Sequence, residues 1–135
     1  VDPGAFCADG LYVGKLKDTD KVQTTHTGIL PVEDDVDVVS FFAEDAFSLL
    51  SDNFDVRIRL VSADPGIKMC VYRHETGSHS SDCYWTEETC PESLSYRRTG
   101  AGISGDDADF IVKVFRTTGS AASCTPYTLF MSNGK

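Results

Sequence analysis

A single antiparallel β-sandwich is the fold class this sequence predicts, and three observations predict it. Short segments alternate apolar and polar residues along the chain, ending in Tyr127-Thr-Leu-Phe-Met131. Stretches rich in Gly, Pro, Ser and Asp separate them. The chain has 135 residues, enough for one core and one domain over 1–135.

The elements follow in order. Leu11–Leu16 and Thr25–Leu30 read as short strands around the polar turn Lys17–Lys21, a hairpin-like unit closed by Pro31. Asp37–Phe42 is the next strand, and Ala43–Leu50 spaces its apolar residues three and four apart, which predicts one short helical turn. Asp55–Leu60 alternates most cleanly: Val56, Ile58 and Leu60 face the core, while Asp55, Arg57 and Arg59 face water. In Ser62-Ala-Asp-Pro-Gly66, Pro presets φ and Gly suits φ > 0, so a hairpin into Ile67–Arg73 is expected, with Ile67, Met69 and Val71 inward. From His74 to Gly105 the composition turns polar, with only Leu94–Arg98 resembling a strand. Asp109–Phe115 restores order with Phe110, Val112 and Val114 inward, and the strand from Tyr127 closes the domain.

Composition narrows the function. Hydrophobic residues make up 41% and charged residues 24%, ordinary globular usage that argues against disorder. No apolar run approaches the roughly 20 residues of a membrane span. A net charge of −9 opposes nucleic acid and anionic lipid, whose affinity comes from clustered Lys and Arg. Five cysteines, Cys7, Cys70, Cys83, Cys90 and Cys124, in a small acidic domain point to disulfides and to a secreted or cell-surface location. The chain opens Val1-Asp-Pro-Gly without a basic start or apolar stretch, so a signal peptide is expected to have been removed, or the domain to belong to a longer polypeptide. Cys83 and Cys90 enclose a loop short enough for a local staple, and Cys70 and Cys124 can form a longer link, but spacing does not settle the pairing. Cys7 is then the odd thiol, free, bridging to another chain, or paired outside this sequence.

Candidate sites are few. Without a Cys-x-x-Cys pair, zinc is not expected. Gly102-Ile-Ser-Gly-Asp106 lacks the spacing of a nucleophile elbow, and His26, His74 and His79 read as solvated side chains. No catalytic residue is assigned. Two acidic clusters, Glu33, Asp34, Asp35 and Asp37, and Asp106, Asp107 and Asp109, stand where loops at one end of a sandwich can converge. Together they can supply the six to eight oxygens of a structural calcium ion, although Asp also begins strands and turns simply by bonding local amides. Tyr72, Tyr84, Trp85 and Tyr96 can form a ligand-facing aromatic patch, the alternative being that Trp85 covers a core edge.

Asp34–Phe41, Val56–Leu60, Met69–Tyr72, Asp109–Val114 and Tyr127–Met131 in this order resemble the bacterial pre-peptidase C-terminal domain family. The better signals are the D-x-D before an aromatic-rich strand and the final Y-x-L, and the resemblance covers residues 25–133, leaving 1–24 as an N-terminal strand and linker region. It implies a sandwich of jelly-roll-like topology appended to an exported enzyme, whose parent protein is then the partner. The chain departs from that family in Ile67-Lys68 and in its added cysteines. Related collagen-binding domains bind calcium and use surface aromatics, yet no motif here carries those residues over. The expected function is a non-catalytic secreted module binding an extracellular glycan or protein. The alternative is a subunit of a surface layer or filament, self-associating through Cys7 or the N-terminal strand; a hydrolase is a distant third.

Overall fold

The computed structural model describes residues 10–46, 54–82, 84–97 and 106–134. Eight strands form: β1 Leu11–Lys17, β2 Gln23–Ile29, β3 Val36–Glu44, β4 Asp55–Ser62, β5 Ile67–Glu75, β6 Ser93–Arg97, β7 Ala108–Arg116 and β8 Pro126–Asn133. They make two four-stranded sheets, β1-β3-β7-β5 and β2-β8-β4-β6. The all-β sandwich expected from alternation is therefore present, and no helix occurs among the described residues.

Consecutive strands always lie in opposite sheets, so every connection crosses the sandwich. This corrects both predicted hairpins. The turn after β4 has the anticipated chemistry: Asp64 Oδ1 accepts from the Gly66 amide at 2.9 Å and Ser62 Oγ from the Asp64 amide at 3.1 Å. It nonetheless delivers the chain to the other sheet. Four residues can span the roughly 10 Å between packed sheets, so turn residues alone do not distinguish an arch from a hairpin. The β1–β3 pair is parallel, the one departure from antiparallel pairing. Its register shifts between Tyr12 and Lys15, where Gly14 adopts φ +113°. The predicted helical turn is also corrected: Ala43 and Glu44 continue β3, pairing with Leu16 and Lys17 of β1, while residues 47–50 lie outside the described residues.

The core sits between the sheets. Val39, Phe41, Ile67, Met69, Val71, Phe110, Val112 and Val114 of the first sheet meet Val56, Ile58, Tyr127, Leu129 and Met131 of the second. The inward sets predicted for β4, β5 and β7 are among them, with Leu60 partly buried against the cluster. Arg116, its side chain wholly buried, ties three loops at one end: Nε donates to Leu30 O at 2.8 Å, Nη1 to Ala121 O at 2.9 Å and Nη2 to Asp64 Oδ2 at 2.7 Å.

Candidate functional site: the roofed outer face of the first sheet

Outward-facing positions of an antiparallel sheet are usually polar because they meet water. Here Val38, Cys70, Tyr72 and Ile111 form a second buried apolar cluster on the far side of the first sheet. Register aligns Tyr12, Ser40, Ile111 and Tyr72 in one row across all four strands. Part of residues 76–92 crosses this row as a roof.

Several contacts fix that roof. Cys90 is bonded to Cys70 of β5. Val71 and Thr89 exchange two backbone hydrogen bonds, of 2.7 and 2.9 Å, along the free edge of β5. The Arg73 amide donates to Thr86 O at 3.2 Å, and the Tyr72 hydroxyl donates to Glu88 at 2.5 Å. Desolvation, followed by the bond to Glu88, pushes the Tyr72 hydroxyl up to about 12. On this frame Trp85 stands edge-on against Tyr72, with centroids 4.8 Å apart, and remains 45% exposed; Tyr84 stacks on His74 at 3.8 Å.

At the β1 side of the row, His79 stacks on Tyr12 with ring centroids 3.8 Å apart. Asp109, buried on β7, meets His79 Nδ1 at 2.8 Å and accepts from the Ser80 amide at 2.9 Å. Burial, then the Asp109 charge, raises the Tyr12 hydroxyl above its ordinary range. An open cleft of about 390 Å³ lies here, with Tyr12, Ser40, His79, Ser81, Asp82 and Asp109 among its walls. Its polar groups can hydrogen-bond a ligand while Tyr12 and Ile111 supply apolar surface. Among the described residues no hydroxyl hydrogen-bonds His79 Nε2, so the pair orients a ring without presenting a nucleophile to it.

The predicted sites are redistributed. Trp85 and Tyr84 are on the roof and Tyr72 lies beneath it, but Tyr96 faces the core from β6, edge-on to Phe54 and Phe110 and under the Arg73 guanidinium. Alternation decides this: Tyr96 opposes the inward Val56. The acidic clusters do not form one site. Antiparallel pairing sets Asp37 opposite Val114 and Asp109 opposite Phe42, about 17 Å apart along the strands. Asp37 takes the Tyr127 hydroxyl, Asp35 accepts from the Val32 amide at 3.2 Å, and Asp107 from the Asp45 amide at 2.7 Å. Asp106 lies beside Asp107, its amide on Asp45, whereas Glu33 and Asp34 are exposed. Among the described residues, the one trio of His, Cys, Asp or Glu with ligand atoms within 4.8 Å is Cys70, Glu88 and Cys90, whose sulfurs are already joined.

The disulfide pairing also differs from both expected links. Cys70 takes Cys90, Cys124 is an exposed free thiol, and Cys83 and Cys7 lie outside the described residues. β1 is an edge strand, the position from which strand addition was expected. His79 was missed as a site residue, although Asp109, a buried carboxylate on the outward side of β7, was the partner that places it.

Fold and site define a disulfide-stapled β-sandwich with one roofed sheet. No family model and no curated protein matches the chain, so the likeness to pre-peptidase C-terminal domains stays an expectation from sequence. Among solved structures it is similar to PliG of Salmonella Typhimurium, a periplasmic inhibitor of g-type lysozyme, at 11% identity, over 92% of this chain and 99% of that one, with TM-score 0.48. Aeromonas hydrophila PliG gives 9%, 92%, 98% and 0.45 in the same order, and the Yersinia pseudotuberculosis-derived mitogen 14%, 83%, 86% and 0.46. Likenesses of that strength carry no functional conclusion.

Proposed function

We propose that this protein is a non-catalytic, extracytoplasmic binding module that engages a protein partner through the roof over the first sheet. The observation that carries this reading is Trp85, the single tryptophan of the chain, held 45% exposed on an irregular segment tied down by a disulfide. Exposed indoles are enriched among residues that dominate binding energy, and a segment already fixed loses little freedom on association. The net charge of −9 favours encounter with a basic partner. The disulfide fits an oxidising compartment.

Immobilised wild type and Trp85→Ala are exposed in parallel to purified basic extracellular proteins, and Trp85 emission is followed for every protein retained. A genuine partner shifts the emission of the wild type saturably and loses tenfold or more in affinity for the variant. Partners that bind both forms equally and leave the emission unchanged would show that the roof is not the binding surface.

A further inference from the structure

The opposite side of the molecule carries a different chemistry. Two outward rows of the second sheet are Gln23, Ser132, Arg57 and Ser95, then Thr25, Phe130, Arg59 and Ser93, with Arg97 opposite Asp55 at one end and the uncharged row Thr27, Thr128 and Val61 at the other. Among the described residues Arg57, Arg59 and Arg97 are the exposed arginines, since Arg73 and Arg116 are buried, and all three lie on this face. The carboxylate on these rows, Asp55, accepts from Arg57 Nε at 3.1 Å and Nη2 at 2.9 Å, which leaves the Nη1 side of the Arg57 guanidinium to face a ligand. Arg59 lies over the Phe130 ring, 4.5 Å from its centroid, which holds the guanidinium in place and leaves its edge open. Among the described residues of these rows the charged groups are three arginines and one carboxylate, the reverse of the chain's net charge of −9.

We propose that this face binds a carboxylated saccharide, one bearing uronic-acid units, in the groove of about 380 Å³ formed by Gln23, Arg57, Arg59, Ser93, Ser95 and Phe130. A planar guanidinium matches a carboxylate with two parallel bonds. Arg57 and Arg59 stand two residues apart on one strand, about 6.8 Å, with hydroxyl and amide groups between and beside them to meet sugar hydroxyls. Stacking of nucleobases is disfavoured because Arg59 already covers the aromatic ring of this face. A peptide that docks by strand addition needs a sheet edge, whereas Arg57 and Arg59 sit on β4, flanked on both sides by β8 and β6; an acidic peptide held through its side chains alone is the alternative that polyglutamate tests.

The test is calorimetric titration of the whole chain with oligogalacturonate, with a neutral maltooligosaccharide, a sulfated heparin oligosaccharide and polyglutamate as comparators. Binding of oligogalacturonate that weakens with salt is expected, with at least a tenfold loss for Arg59→Gln and for Arg57→Gln, no loss for Lys113→Gln on the other sheet, and no binding of the maltooligosaccharide. Absence of oligogalacturonate binding would overturn the proposal. So would equal or tighter binding of polyglutamate or the sulfated sugar, which marks a general polyanion patch, or unchanged affinity in both arginine variants of native far-ultraviolet dichroism.

Discussion

Replacing both Cys70 and Cys90 by serine removes the link between the roof and β5 without creating an odd thiol. The two residues are 20 apart in sequence. Closing a loop of that length in the unfolded chain costs it entropy equivalent to about 3 kcal/mol at room temperature, and the variant regains that freedom. With a urea dependence of about 1–3 kcal/mol per molar, the unfolding midpoint falls by about 1–3 M. The single tryptophan lies inside the released segment, so two probes distinguish local from global effects. In the wild type, Trp85 emission and far-ultraviolet dichroism follow one transition. In the variant the roof retains the backbone bonds at Val71–Thr89 and Arg73–Thr86 and side-chain bonds such as Tyr72 to Glu88 and His79 to Asp109, and the emission shifts to the red at lower urea than the dichroism. A loss below about 1 kcal/mol with coincident transitions would refute the reasoning, because the disulfide would then constrain nothing that the other contacts do not already hold.

Arg116→Met removes all donors from a buried site and leaves Leu30 O without its partner, so urea denaturation registers a loss of about 2–4 kcal/mol. The bond from Arg116, ahead of that from the Gly66 amide, holds the Asp64 carboxyl below its usual range. The native state therefore binds fewer protons there than the unfolded chain, and this stabilisation is present above the ordinary carboxyl pKa and lost as pH falls through the native one; the variant loses most of that acid dependence. Gly28→Ala sets a Cβ 2.7 Å from the hydroxyl oxygen of fully buried Tyr127, directly opposite on β8, and lowers stability by about 1–3 kcal/mol, read as a fall in the thermal midpoint. Tyr72 has a native pKa of about 12, raised above the unfolded value, so its contribution is intact below pH 10 and lost between about pH 10 and 12. Tyr72→Phe flattens the alkaline part of a midpoint-against-pH series, and tyrosinate absorbance at matched pH checks the assignment.

Alternation alone determined that the chain is all-β, and it placed Val56, Ile58, Met69, Val112 and Val114 in the core, because a side-chain period of two survives any choice of strand partner. Cysteine content and charge bounded the compartment and disfavoured nucleic acid for the same reason: they are sums over residues and need no geometry. Partnership is not such a sum. Whether Asp64-Pro65-Gly66 makes a hairpin or an arch depends on which sheet has room for β5, and that choice sends the two acidic clusters to opposite ends, joins Cys70 to Cys90 and turns Tyr96 inward. The pairing of His79 with Asp109, 30 residues apart, and the gathering of exposed arginines on one face exist only once four strands are in register. Local propensity specifies the pleat of each strand, but contacts between residues distant in sequence are decided by the packing of the two sheets.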